Sequence, residues 1–244
     1  MNIWLKDDER IDDLSRGMKI IQSSSTPCFS IDAVLLADFV TGKAKARIIE
    51  LGSGTGVIPL LLTTKIANAQ ITGIEIIAPM CSQAQRSVAL NGLESCIEII
   101  QGDLRTADQY LGRDIADIVV ANPPYYKKGH GRNNQNDIFA AARAEEYCTI
   151  DDITLAGSKL LKPWGEMDLI FTADRLAELI SSLLAHKLNP EKLRIVQPYR
   201  NQNANLVLVG ARKGGKGALQ VLPPLVVYES KGQYTKEMLD IYGR

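Results

Sequence analysis

From Arg47 onward, short apolar runs alternate with longer stretches whose apolar residues recur at helical spacing, the pattern of βαβ units and a mostly parallel sheet. The runs Arg47 to Leu51, Ile71 to Ile76, Ile97 to Gln101, Ala116 to Ala121, Glu166 to Phe171, Leu193 to Gln197 and Leu206 to Ala211 predict strands. Helices are expected over Val57 to Ala67, Pro79 to Asn91, Leu104 to Leu111, Ile150 to Leu161 and Asp174 to Leu188. Pro79 suits a first helical turn, Asn91-Gly92 a helix stop, and Thr149 with Asp152 a capping box. The polar loop Pro198 to Asn205 leaves no room for a crossover helix, so the last two strands should form an antiparallel hairpin at the end of the sheet. The expected class is α/β, doubly wound and mostly parallel.

Residues 1–46 read as an extension to a core domain spanning 47–244. They hold an acidic start (Asp7, Asp8, Glu9, Asp12, Asp13), a polar stretch Ser23 to Pro27, and a short helix to Val40 with Ser30 as its N-cap candidate. Val34, Leu35 and Leu36 give that helix an apolar side to pack on the sheet, while Phe29 and the helix start are candidates for a lid. Prolines flank the apolar run up to Tyr228, which is expected to cover a sheet edge.

Composition narrows the class without choosing a function. With 45% hydrophobic and 23% charged residues, the chain fits a folded globular protein rather than a disordered or disulfide-stapled one. Its 28 basic and 28 acidic side chains cancel, so any attraction to nucleic acid must be local. Cys28, Cys81, Cys96 and Cys148 are widely spaced and only His130 and His186 could join them, which argues against a structural zinc site. No secretory signal pattern opens the sequence and no apolar run nears the roughly 18 residues of a membrane span, so a cytoplasmic protein with reduced thiols, no metal and no membrane partner is expected.

Candidate chemistry begins at Glu50-Leu51-Gly52-Ser53-Gly54-Thr55-Gly56, a glycine-rich turn between a predicted strand and a predicted helix. The G-x-G-x-G spacing departs from the dinucleotide fingerprint G-x-G-x-x-G, which disfavours a nicotinamide-dependent oxidoreductase and suits a ligand without a pyrophosphate. Glu75 ends the second core strand, where a carboxylate can accept from a ribose diol, and Asp103 comes just after the third, where it or the adjacent backbone can meet an adenine amino group. Taken singly, the glycines are explained by tight packing and Asp103 by capping the helix that starts at Leu104. Together they mark the carboxyl ends of three successive strands, where ligands bind in open α/β sheets.

In this order of motifs the chain resembles the class I S-adenosylmethionine-dependent methyltransferase fold. The resemblance implies a seven-stranded Rossmann-like sheet with one antiparallel strand. It implies that Gly52, Gly54 and Gly56 pack under the methionine moiety of S-adenosylmethionine, that Glu50 helps position it, that Glu75 holds the ribose hydroxyls and that Asp103 contacts the adenine. Ser30, Ile76, Leu104 and Asn122 complete the expected cofactor site.

Asn122-Pro123-Pro124-Tyr125 comes directly after a predicted strand. Two prolines end a strand and stiffen the chain beyond it, but they do not call for Asn before them and an aromatic after them. An exocyclic amine attacking a methyl sulfonium needs acceptors that grip its hydrogens and leave its lone pair free. The Asn122 side-chain carbonyl and the Pro123 main-chain carbonyl can be those acceptors, with Tyr125 stacked on the ring.

The acceptor is left open by this motif among adenine N6, a guanine N2 amine of ribosomal RNA and a glutamine side-chain amide. Phe29 to Ala37, Ala141 to Glu146, Pro224 to Tyr228 and Gly232 to Thr235 are similar to the bacterial family that methylates N6 of the adenosine beside the anticodon of a valine tRNA. The partner this implies is the anticodon stem-loop of tRNA. Between His186 and Gln220 lie Lys187, Lys192, Arg194, Arg200, Arg212, Lys213 and Lys216 against Glu191 alone, and Lys127, Lys128 and Arg132 lie just past the proline turn. With Arg143, Arg194 and Arg200, these last three are the candidates for phosphate contact.

Overall fold

Apolar runs flanked by helical segments become parallel strands covered on both faces. The computed structural model describes residues 5–123 and 148–243. In chain order these contain β1 (Glu9–Asp13), β2 (Lys19–Ser23), α1 (Ile31–Phe39), β3 (Arg47–Leu51), α2 (Val57–Thr63), β4 (Gln70–Glu75), α3 (Ala78–Leu90), β5 (Ile97–Gln101), α4 (Ala107–Tyr110) and β6 (Ala116–Ala121). After the undescribed segment come α5 (Ile150–Leu160), β7 (Leu161–Thr172), α6 (Leu176–Ala185), β8 (Leu188–Tyr199), β9 (Leu206–Lys213), β10 (Gln220–Ser230), β11 (Gln233–Tyr234) and α7 (Lys236–Ile241).

The main sheet has the order β11-β10-β8-β9-β7-β6-β3-β4-β5. Strands β5, β4, β3, β6 and β7 are parallel neighbours, β9 runs antiparallel between β7 and β8, and β10 lies parallel on the far side of β8. The stretch from β5 to β8 is thus a doubly wound sheet of seven strands with one reversed. Pairing of β8 with β9 forms the expected hairpin, but β10 and β11 extend the sheet beyond it. Pro223 and Pro224, which resemble strand breakers, fall where the register shifts between Leu222 and Leu225, so the missing donors interrupt no regular ladder.

One sheet face carries Ile48, Ile118, Val120, Ile170 and Leu208 against α1, α2, α3 and α7. The other carries Ile49, Leu51, Val119, Leu169 and Val209 against α4, α5 and α6. Helix α1 buries Ala33, Val34, Leu35, Leu36, Ala37 and Phe39 in the first of these cores. Ser30 stands at its N-cap position with extended backbone, but its side chain makes no capping hydrogen bond. The Thr149 and Asp152 capping box forms at α5 with both reciprocal bonds. The expected helix at Leu104 to Leu111 splits into a 3₁₀ turn, Leu104–Thr106, and the four residues of α4.

The β1-β2 hairpin was not signalled by the charged sequence Glu-Arg-Ile-Asp-Asp and is built onto α3. Glu9 accepts two hydrogen bonds from Arg86 at 2.5 and 2.6 Å, the Lys19 N–H donates to Asn91 Oδ1, and the Ile21 N–H donates to Ser87 Oγ. At the other side of the hairpin, Ser15 Oγ donates to the Tyr242 carbonyl at 3.1 Å. Leu14 and Ile241 belong to the same core.

Candidate active site at the carboxyl edge of the sheet

Register places the site. Leu51 at the end of β3 pairs with Ile74 of β4 on one side and with Ala121 of β6 on the other, and Glu75 pairs with Gln101 of β5. Gly52, Glu75, Asp103 and Asn122, at or just past these strand ends, therefore emerge along one edge of four adjacent parallel strands.

The turn after β3 needs its glycines. Gly52, Gly54 and Gly56 have φ of 77°, 55° and 89°, in the left-handed region that costs other residues about 1–2 kcal/mol. Gly56 is also the N-cap of α2, and a Cβ there would lie 3.2 Å from the Ala84 Cβ on α3. Backbone bonds from Gly52 and Ser53 N–H to the Ile74 carbonyl, and from Gly56 N–H to the Ser53 carbonyl, hold the turn closed.

Glu75 supports that turn from the next strand. Its Oε2 accepts the Gly54 N–H at 2.7 Å and its Oε1 the Ile77 N–H at 2.8 Å. Burial still raises its pKa, with those backbone bonds opposing the shift. Glu50 is 1% exposed, and burial followed by the charge of Glu75 pushes its carboxyl well above the usual carboxylate range. Among the described residues, Glu50 Oε2 and the buried Ser53 Oγ have no hydrogen-bond partner. Two buried acids with an orphaned acceptor beside a glycine turn form a cradle that a ligand carrying positive charge and donor hydrogens would satisfy.

Asp103 takes the capping position, accepting from the Arg105 N–H at 2.9 Å. The Arg105 guanidinium also binds both carboxylate oxygens and holds the Asp103 pKa below its usual value. Ile76 is exposed immediately after Glu75, while Leu104 packs against the second core.

A residue with no sequence signal completes the loop's support. Gln22, 1% exposed at the end of the Ile20-Ile21 run, donates through Nε2 to Thr55 Oγ1 at 3.3 Å and accepts the Phe29 N–H at 3.0 Å. Thr26 Oγ1 donates to Gln83 Oε1 on α3 at 2.9 Å. The segment leading into α1 is thereby tied to the glycine turn and to α3, which brings Phe29 and Ser30 to the same edge.

Asn122 and Pro123 come directly after β6. Pro124, Tyr125, Lys127, Lys128, Arg132, Arg143 and the Ala141 to Glu146 segment lie outside the described residues.

The basic stretch after His186 does not form one face. Lys192 pairs with Glu166 at 2.7 Å, Arg212 with Glu166 and Glu191, Lys213 with Asp114, and Arg194 with Glu237. Arg194 also donates to the Pro223 carbonyl, so its chain-internal role is to fasten α7 and β10 to β8. Acids distant in sequence, Glu166, Asp114 and Glu237, offset part of the excess counted along the chain. Of the three remaining, Lys187 and Lys216 sit by the amino end of β8, where Leu188 faces Lys213, and Arg200 alone stands at the carboxyl edge. Among the described residues no group of His, Cys, Asp and Glu could hold a metal ion, and no helix is long and apolar enough to cross a membrane.

Residues 29–171 match the family model described as the methyltransferase small domain. The chain is 28% identical over 218 residues to a tRNA1(Val) (adenine(37)-N6)-methyltransferase from Porphyromonas gingivalis, covering 84% of this chain and 83% of that protein. A Shewanella putrefaciens protein of the same name is 25% identical over 235 residues, covering 95% and 93%. The crystal structure of a predicted O-methyltransferase from Agrobacterium tumefaciens shares the fold with a TM-score of 0.70 at 23% identity, covering 87% of this chain and 95% of that one.

Proposed function

The chain belongs to the methyltransferase small domain family, and from that premise we propose that it methylates the exocyclic N6 of an adenosine in tRNA, beside the anticodon of a valine tRNA. The observation that carries this reading is the register that sets the Glu50 to Gly56 turn, Glu75, Asp103 and Asn122 along one edge of four neighbouring strands. The names of the relatives support tRNA as substrate and adenine N6 as acceptor.

S-adenosylmethionine supplies an electrophilic methyl group on a sulfonium, and it also carries an ammonium. The orphaned Glu50 Oε2 and Ser53 Oγ fit the cationic methionine end, and the glycine turn leaves it room. Glu75 keeps acceptor capacity beyond its two backbone bonds and serves the ribose hydroxyls. Asp103, fixed by Arg105, and the Leu104 main chain serve the adenine, with Ile76 and Leu104 as apolar walls. Ser30, with Phe29, flanks the turn from the α1 side.

At the acceptor, the Asn122 side-chain carbonyl and the Pro123 main-chain carbonyl accept the two hydrogens of the amine, and Tyr125 stacks on the base. Gripping both hydrogens turns the nitrogen lone pair outward and relieves the positive charge that builds on it as the N–C bond forms and the C–S bond breaks. One proton then passes from the nitrogen to solvent water. Lys127, Lys128, Arg132, Arg143 and Arg200 contact RNA phosphates in this reading. An unpaired anticodon-loop base suits it, because turning such a base into a pocket costs less than extracting one from a duplex.

Incubation with methyl-labelled S-adenosylmethionine and total tRNA, and then digestion to nucleosides, should yield labelled N6-methyladenosine. Label in protein after RNase treatment, or in N2-methylguanosine, would refute the assigned acceptor.

A further inference from the structure

Four tyrosines from separate elements line up in one row, the inner three stacked and Tyr199 tilted 34° against Tyr228. Tyr199 at the end of β8, Tyr228 in β10, Tyr234 in β11 and Tyr242 after α7 have successive ring centroids 5.5, 5.1 and 5.5 Å apart. The last three pack against the main core, and Tyr199 is the outer end of the row. Beyond it the turn to β9 is prearranged: the Gln202 N–H donates to the Tyr199 carbonyl, Gln197 Nε2 to the Gln202 carbonyl, and the Asn205 N–H to the Val196 carbonyl. Arg200 is exposed on this turn and, among the described residues, makes no ion pair; Asn201, Gln202 and Asn203 are exposed beside it.

The turn lies on the catalytic side of the sheet. Ala121 of β6 is level with Leu169, Val209 and Leu193 on the next three strands, which makes Asn122 level with Arg194. Tyr199 is five residues further along β8, about 16 Å at roughly 3.3 Å per residue, and three strand spacings of about 4.8 Å, or about 14 Å, to the side. It is the rim of a wall rising beside Asn122.

We propose that Tyr199 and Arg200 dock an unpaired nucleotide of the RNA substrate, the base on the tyrosine ring and a phosphate on the guanidinium. This rests on the reading of the chain as an RNA methyltransferase and adds a second contact point remote from the reacting base. A ring held on one side by the Tyr228 ring, itself stacked on Tyr234, loses little freedom on binding, and the hydrogen-bonded turn holds the cation one residue away. The combination of an aromatic face, an unpaired arginine and exposed amides is the chemistry that holds single-stranded RNA.

The test compares wild type with Tyr199→Leu, Tyr199→Phe and Arg200→Gln, measuring the KM for tRNA, kcat, S-adenosylhomocysteine binding and Tm. Tyr199→Leu should raise the KM for tRNA by about 5- to 160-fold, the range of a lost base stack, with kcat and S-adenosylhomocysteine affinity unchanged. Tyr199→Phe keeps the ring face and should retain the wild-type KM. Arg200→Gln should reduce the slope of log Kd against log salt by about 0.7–0.9, one phosphate contact. Unchanged tRNA KM in Tyr199→Leu, whatever happens to its Tm, would make the row a structural staple only and overturn the proposal. If Tyr199→Leu does not fold, an unchanged salt slope in Arg200→Gln overturns it instead. Wild type that binds S-adenosylhomocysteine but methylates no RNA would fail the underlying reading separately.

Discussion

Glu50→Gln separates what the buried acid costs the fold from what it does for a ligand. The wild-type carboxyl is 1% exposed, has an oxygen without a partner and faces the charge of Glu75, so its folded pKa lies well above the unfolded value near 4.5. A raised carboxylate pKa means that the folded state binds more protons than the unfolded one over that interval. Its favourable contribution is complete at low pH and is lost as pH climbs from about 4.5 through the raised value. Glutamine has nearly the same shape and no such slope. If removing the charge relieves about 1–3 kcal/mol, the cost of an unsatisfied buried polar group, Tm should rise by about 2–12 °C at pH 8, at about 2–4 °C per kcal/mol. That gain should shrink toward pH 5. Thermal melts from pH 5 to 8, with and without S-adenosylhomocysteine, measure both effects. At a hundredfold excess over Kd the ligand should stabilise wild type by about 2.7 kcal/mol, and Glu50→Gln should forfeit most of that gain. Parallel Tm-against-pH curves for the two proteins would show that Glu50 does not strain the free fold, and an equal ligand-induced shift would show that it serves no cation.

Asn122→Ala should leave S-adenosylhomocysteine binding largely intact in calorimetry while methyl transfer falls by about 100-fold or more, the usual effect of removing a group that stabilises developing charge; equal activity would remove Asn122 from the chemistry. Gly56→Ala places a Cβ 3.2 Å from Ala84 at a φ of 89° and should cost about 1–2 kcal/mol or more in denaturant melts. Gln22→Leu severs the bonds to Thr55 and Phe29. It should raise the KM for S-adenosylmethionine several-fold without changing that for tRNA, and a double-mutant cycle with Thr55→Val should be non-additive if the pair acts as a unit.

The βαβ core was legible because its strands are short apolar runs separated by helical spacing and punctuated by Pro79, Asn91 and Thr149. The glycine turn was legible because three glycines between a strand and a helix have few other uses. Other elements depended on information that lies across the chain. The β1 segment looks like a charged tail until Arg86 on α3 is brought to Glu9. Pro223 and Pro224 argue against a strand unless a register shift is available to absorb them. Gln22 is an unremarkable polar residue until the fold carries Thr55 and Phe29 to its two ends. Local counting misled most over charge, since Lys192, Arg194, Arg212 and Lys213 each meet an acid from another part of the chain.

The hydrogen bond from Ser15 to the Tyr242 carbonyl joins residues 227 positions apart, and Leu14 and Ile241 reinforce it from within. It works as a clasp on a necklace: the segment that braces the glycine turn is fastened to the segment that carries the tyrosine row. The hairpin that carries Gln22 and the inner end of the tyrosine row at Tyr242 therefore meet at one place in the fold.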